Sequence, residues 1–285
     1  MKIHVIVNPA AGSDDPVLAV LNRAWRDHDV EWEVSVTQHF GDARRFAEAA
    51  LAEEVDAVTV YGGDGTLFEV AGVLARTEVP LGILPGGTGN ALAYALDIPR
   101  ELEAAAARIL ERSTRPMNIG QVNDHIFLTG CGTGFLTDTI GETPRSSKDA
   151  LGFFAYPLTI FQKMQDAAPT RYTITLDEDT TYEIDAVGCY VGNVGRFTIG
   201  EWTFLELTEG VLDVFLFRST DIRGVVEAIS MTMAPQTAVN LPHYTLTASL
   251  TIETAEPHPQ KAGGDVVGEP PAKVRLITDG LHEIT

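Results

Sequence analysis

The sequence predicts an α/β domain built on a parallel sheet over residues 1–119, followed by a mainly antiparallel β-sandwich domain over residues 120–285. Three observations carry that expectation. Short β-branched runs alternate with helix-period segments through the first 120 residues, and glycine-rich turns follow several of those runs. Beyond about Met117 the pattern changes to a succession of strand-like runs separated by turn residues. Strands alternating with helices of this length imply βαβ units, and hence a parallel sheet.

Taken in order, Ile3–Val7 is a mostly apolar run of the kind buried in a parallel sheet. Within Pro16–Asp27, the residues Val17, Leu18, Leu21 and Trp25 recur at helical spacing. Trp32–Thr37 alternates like a strand, and Asp42–Ala52 is alanine-rich and helical. Ala57–Tyr61 is a further strand run ending at Gly62-Gly63, Leu67–Ala75 reads as a helix and Pro80–Leu84 as a strand. Ala91–Leu96 and Arg100–Arg112 read as helices. In the second half, His125–Thr129, Arg171–Leu176, Thr181–Ile184, Val187–Val191, Val211–Phe217, Tyr244–Ile252 and Lys273–Ile277 read as strands, with helices near Leu151–Asp166 and Ile222–Met233. Glu256–Glu269, rich in Pro and Gly, reads as a turn-rich connection, and there is no internal repeat.

Composition excludes several function classes. With 40 Asp+Glu against 20 Lys+Arg, the formal net charge is −20. No basic stripe is left to neutralise nucleic-acid phosphates, and none to drive charge-based adsorption on anionic membranes. The hydrophobic fraction of 45%, with 26 Gly and 15 Pro, is that of a packed, turn-rich globular chain. Two cysteines, Cys131 and Cys189, make no disulfide framework, so a reducing compartment is expected. The opening apolar run breaks at Pro9 and Gly12, and no later stretch reaches about 18 apolar residues, which predicts a cytoplasmic protein. The seven histidines lack metal-ligand spacing, and Ser146-Ser147 has no nucleophile-elbow context.

The chemistry is concentrated in three turns that each follow a predicted strand. They are Asn8-Pro9-Ala10-Ala11-Gly12, Gly62-Gly63-Asp64-Gly65-Thr66 and Pro85-Gly86-Gly87-Thr88-Gly89-Asn90. In a parallel sheet the carboxyl ends of the strands share one edge, so these turns meet there. Glycines let a phosphate approach the backbone N–H groups, and a following helix adds partial positive charge. No lysine lies in any of the three, so none is a P-loop, and the first βα turn lacks the G-x-G-x-x-G fingerprint.

In this order and spacing the three turns resemble the diacylglycerol kinase catalytic-domain family, which includes bacterial lipid kinases and sphingosine kinases and is distantly related to NAD kinases. The resemblance continues through Gly132-Thr133-Gly134, Lys148…Leu151-Gly152, Val191-Gly192-Asn193 and Gly210-Val211-Leu212-Asp213-Val214. It implies an NAD kinase-like first domain and a lipid-kinase β-sandwich, with nucleotide in the cleft between them. It implies an ATP-dependent enzyme that phosphorylates a hydroxyl of diacylglycerol or a related lipid alcohol in phospholipid metabolism. ATP would be held by Asn8, Pro9, Ala10, Ala11, Gly12, Thr37, Gly62, Gly63, Asp64, Gly65, Thr66, Leu67, Phe68 and Thr88. Thr37, at a strand end, would offer its hydroxyl to the adenine or ribose. Asp64 would join a magnesium network or accept a proton. Transient membrane contact and a homodimer are further expectations, and no nucleic-acid partner is expected.

The family's acidic segment before its structural Mg2+ site reads here Leu205-Glu206-Leu207-Thr208-Glu209-Gly210-Val211-Leu212-Asp213, which assigns the ion to Glu206, Glu209 and the Val211 carbonyl. Glu209 stands where an aspartate is usual. Near the carboxyl end, the family's Asp-Gly-Glu reads Gly263-Gly264-Asp265, leaving Asp265 as the candidate general base. Asn118 and Ala91 also stand where an aspartate is common. These departures keep two other readings open. One is a nucleotide-binding protein of the same fold with impaired turnover, and the other an NAD kinase-like enzyme acting on a soluble alcohol.

Overall fold

The computed structural model describes residues 1–11, 15–87, 89–134, 167–193, 196–199, 202–206, 210–218, 243–246, 248–262 and 265–285. The chain divides into two compact units: Met1–Ile119 with the returning Ile277–Thr285, and Gly120–Leu276. A boundary at residue 119/120 does not by itself capture that return of the chain end.

Unit 1 runs β1 (Lys2–Val7), α1 (Val17–Trp25), β2 (Glu31–Val36), α2 (Asp42–Ala52), β3 (Ala57–Gly62), α3 (Asp64–Leu74), β4 (Leu81–Pro85), α4 (Ala91–Ala95) and α5 (Leu102–Leu110). Its strands lie in the order β2-β1-β3-β4 and all pair in parallel, with Val5 opposite both Val34 and Thr59, and Val60 opposite Ile83. Strands β1, β3 and β4 are buried almost throughout, which is why they read as largely apolar runs, interrupted by His4 and Thr59. Strand β2 is an edge and alternates, carrying Glu31 and Glu33. Trp25 of α1 meets Trp32 edge-on at 5.6 Å and donates its indole N–H to the Ala106 carbonyl of α5 at 2.9 Å. One alanine face of α2 (Ala43, Ala47, Ala50) is buried, so this helix approaches the sheet closely. The sequence starts the third helix at Leu67, but α3 begins at Asp64. Gly65 lowers helix propensity there, whereas an acidic residue in the first turn favours it.

Unit 2 is built on β5 (Thr114–Val122), β6 (His125–Phe127), β7 (Gly130–Gly134), β8 (Thr170–Leu176), β9 (Thr180–Ala186), β10 (Gly188–Gly192), β11 (Arg196–Ile199), β12 (Trp202–Glu206), β13 (Leu212–Phe217), β14 (His243–Leu246), β15 (Ser249–Thr254), β16 (Gln260–Ala262), β17 (Asp265–Gly268) and β18 (Ala272–Ile284). Strands β5 and β18 each begin in one unit and end in the other. One antiparallel set runs β9-β8-β15-β18, and a second sheet runs β14-β13-β10-β7-β16-β17. Both contribute to one buried cluster, with Tyr172, Ile174, Leu250 and Val274 from the first and Cys131, Val191, Leu212 and Val214 from the second. Two antiparallel sheets enclosing one core form the expected sandwich. The helices expected near Leu151–Asp166 and Ile222–Met233 lie outside the described residues.

Six strands escape the sequence pattern, β5, β7, β11, β12, β16 and β17; the last two lie in the stretch Glu256–Glu269 read as a turn-rich connection, and the run Tyr244–Ile252 read as one strand divides into β14 and β15 of different sheets. Strand β5 carries Pro116 and Gly120, and β7 is three-fifths glycine, so neither shows β-branched alternation. In β7 small residues are needed because the Tyr190 ring of the neighbouring strand lies against Gly130. Cys131 and Cys189 are both buried, and burial pushes the Cys131 thiol up to about 12 and raises that of Cys189 as well. The thiolate is the reactive form. Native protein is therefore expected to give no reaction with a colorimetric disulfide reagent at pH 8, and two equivalents once unfolded in guanidinium. A native thiol titrating within minutes would contradict that packing.

Candidate nucleotide-binding site

The strand order in unit 1 reverses between β1 and β3: the chain steps from β1 outward to β2, and from β3 outward to β4 on the other side. At such a switch point the connections leave in opposite directions and open a crevice at the carboxyl ends of the strands. The turns after β1 and β3 flank it, and the turn after β4 lies next along the same edge.

Asn8 ties the first two together. Its backbone N–H donates to Tyr61 at 2.8 Å, its Oδ1 accepts from the Ala10 N–H at 3.0 Å, and its Nδ2 donates to Thr66 Oγ1 at 2.8 Å. Thr66 is thereby buried and used as a strut, while Pro9 and Ala10 stand exposed. Gly63 caps α3 in extended backbone and makes no side-chain cap bond to the N–H groups there. Gly65, in the first turn, is exposed, and a Cβ placed on it would meet nothing within 4 Å. The amino end of α3 therefore presents backbone N–H groups beside a position without a side chain, which suits an anion.

The second and third turns are held to each other by Asp64. Its Oδ2 accepts from the Ala91 N–H and its Oδ1 from the Leu92 N–H, both at 3.1 Å. The carboxylate thus caps α4, not its own helix. Asn90 closes the loop before α4: its Oδ1 accepts from Gly87 N–H at 2.9 Å and its Nδ2 donates to Gly87 O at 2.6 Å. Its φ of 50° is a left-handed conformation that asparagine tolerates better than most residues. Gly87 rests directly on Gly63, because a Cβ on Gly87 would lie 2.6 Å from Gly63 Cα. A Cβ on Gly63 would lie at an ordinary 3.5 Å from Gly87 Cα. Gly87→Ala is accordingly expected to cost about 1–3 kcal/mol of stability, with Gly63→Ala close to wild type in thermal melts. Equal melting temperatures for the two variants would refute the close approach of the loops.

The turn after β2 is braced by acids that the sequence did not single out. Asp42 Oδ2 accepts from the N–H groups of Gln38 and His39, each at 2.9 Å. The Gln38 N–H, the Arg45 guanidinium and the His39 N–H hold the Asp42 carboxyl well below the usual carboxylate range. Glu69 of α3 reaches the same turn, its Oε2 accepting from Gly41 N–H at 3.1 Å. Thr37 is buried, with its N–H on the Val7 carbonyl at 2.9 Å and its hydroxyl 3.5 Å from the same oxygen. Leu67 is packed in the core of unit 1 and Phe68 is half-buried.

So unit 1 brings together Asn8, Gly62, Gly63, Asp64, Gly65 and Thr66 with Gly87 and Asn90. Gly12, Thr88 and Glu209 lie outside the described residues. In unit 2, Glu206 is the last residue of β12, and Val211 follows Gly210, whose φ is +87°. Asp265 opens β17 and pairs with Ala262 of β16. Asn118 accepts from the Asp279 N–H at 3.0 Å, a structural use in which a carboxylate oxygen would serve equally. Among the described residues no helix is long and apolar enough to cross a membrane.

Comparison with known proteins identifies the family. Residues 2–122 match the diacylglycerol kinase catalytic domain. A protein of Pseudomonas aeruginosa named "Probable lipid kinase YegS-like" is 37% identical over 220 residues, covering 75% of this chain and 71% of that one. The crystal structure of a diacylglycerol kinase from Bacillus anthracis superposes with a TM-score of 0.77 at 29% identity, covering 99% of this chain and 96% of that chain. An NAD kinase from Archaeoglobus fulgidus, solved in complex with ATP, shares the fold alone, with a TM-score of 0.54 at 12% identity over 100% of this chain and 94% of that one. The chain belongs to the diacylglycerol kinase catalytic-domain family of lipid kinases.

Proposed function

We propose that this chain transfers the γ-phosphate of ATP to a hydroxyl of diacylglycerol or a related lipid alcohol, working in the cytoplasm with transient contact at a membrane surface. The observation that carries the reading is the joining of three glycine-rich turns at a topological switch point, through Asn8–Thr66 and Asp64–α4. Phosphoryl transfer asks a protein mainly to position the phosphates and to neutralise charge. The amino end of α3 does the first for the phosphate chain. Magnesium at the phosphates would supply the second, with Asp64 in its network, while Glu206, Glu209 and the Val211 carbonyl would hold a structural ion. Asp265 takes the proton as the acceptor oxygen bonds to the γ-phosphorus, and ADP leaves with the bond it loses.

The test is a transfer assay with radiolabelled ATP, magnesium and mixed vesicles containing diacylglycerol, sphingoid bases and related alcohols. Label in the organic extract is expected. ATP binding by calorimetry without transfer to any of these alcohols would replace the proposal with the turnover-impaired reading, which the Gly263-Gly264-Asp265 segment favours. Label entering a soluble alcohol instead would move the enzyme to the NAD kinase side of the fold.

A further inference from the structure

We propose that His4, Glu33 and Glu53 form a binding site for a divalent transition-metal ion of the zinc class, on unit 1 and separate from the glycine-rich turns. The three residues are far apart in sequence and show none of the short spacings that mark metal motifs, but the sheet gathers them. His4 and Glu33 are cross-strand partners in the β1–β2 pair. Glu53 is the C-cap of α2, which packs against β1. A ring nitrogen of His4 and one carboxylate oxygen of each glutamate all lie within 4.8 Å of one another.

The independent sign of a ligand is in the imidazole. His4 is 6% exposed, more than nine-tenths buried, and its Nδ1 is a buried atom with no hydrogen-bond partner. Its other nitrogen, Nε2, lies 3.0 Å from Ser35 Oγ. When Nε2 donates to that hydroxyl, Nδ1 is left with a bare lone pair in a dry position, and buried polar atoms without partners are uncommon in folded proteins. A metal ion between Nδ1 and the two carboxylates would satisfy it. The Ser35 contact is also what second-sphere partners of metal-bound histidines supply, since it fixes the tautomer and the ring. One imidazole with two carboxylates suits zinc and its first-row neighbours, and leaves a fourth position open. Glu33 and Glu53 are exposed, so the ion enters from solvent.

Lys2 is the built-in competitor. Its ammonium lies 3.2 Å from Glu53 Oε2 and also approaches the Glu53 carbonyl at 3.4 Å. A dication would displace that ammonium from the carboxylate, so Lys2 weakens the site at the cost of its own ion pair. The location is distinct from the glycine-rich turns: His4 lies four residues before Asn8, about 13 Å along an extended strand.

The experiment is a calorimetric titration of the full-length chain with zinc chloride at neutral pH, in parallel with Glu33→Gln, His4→Ala and Lys2→Met. Wild type is expected to show one saturable site that Glu33→Gln and His4→Ala weaken at least tenfold and Lys2→Met strengthens severalfold. Because His4→Ala opens space in the sheet, Glu33→Gln on the exposed edge strand decides the matter if that variant is unstable. No saturable zinc binding by wild type, or unchanged affinity in folded Glu33→Gln, would overturn the site.

Discussion

Replacing Asp64 with asparagine is expected to cut phosphate transfer at least 100-fold and to lower thermal stability in the same protein. Each carboxylate oxygen of Asp64 accepts a different backbone N–H at the start of α4. Asparagine keeps one acceptor and turns an NH2 group toward the other N–H, so one charge-assisted hydrogen bond, worth about 1.5–3 kcal/mol, becomes a donor–donor conflict. The segment this releases carries Gly87, which rests on Gly63 at the amino end of α3. A misplacement of about 1 Å in a substrate-positioning loop is enough for a rate loss of that size. Initial rates with radiolabelled ATP and melting curves on the same preparation separate two causes. Loss of both points to the staple between the turns. Loss of rate with an unchanged melting temperature assigns Asp64 to the chemistry alone, and loss of stability with full rate removes it from the site.

Asp265→Asn is expected to lower transfer by roughly 100-fold or more while leaving ATP affinity unchanged, the scale of a positioned general base. ATP affinity by calorimetry and turnover on vesicles should therefore part company in this variant. If the acid missing before Asp265 limits the rate, Gly263→Asp raises turnover in the wild-type background. Turnover of Asp265→Asn equal to wild type would return the role of base to another carboxylate.

The elements of unit 1 were legible because each carries its own local signal. Three buried parallel strands read as apolar runs, α2 matched its alanine-rich stretch from Asp42 to Ala52, and the glycines marked the turns. What was not legible depends on neighbours. β7 is a strand although three of its five residues are glycine, with Tyr190 against Gly130, and β5 is one despite Pro116; neither fact has a period in the sequence. The same holds at the site. Asn8 and Asp64 stood out by residue type, but that Asp64 spends both oxygens on α4, or that Glu69 braces the turn after β2, follows from pairings 27 or more residues apart. His4 reads as one more residue in an apolar strand until β2 and α2 bring two glutamates to it.

The return of β18 has a bearing on how this protein is made. Leu281, Glu283 and Ile284 are buried in unit 1, where Glu283 pairs with Leu81 of β4 in the sheet and with the Arg115 guanidinium, and Thr285 N–H reaches Ser113 O at 2.9 Å. The unit that carries the glycine-rich turns is thus assembled from both ends of this chain, with Gly120–Leu276 threaded in as an insert. During translation the first 119 residues leave the ribosome well before the segment that fills the space beside β4. Until that last piece arrives, β4 is an open edge, and the nascent protein must avoid pairing it with the wrong strand. The same geometry predicts that a chain stopped at residue 276 would lose the strand beside β4 in unit 1 while keeping Gly120–Leu276 whole.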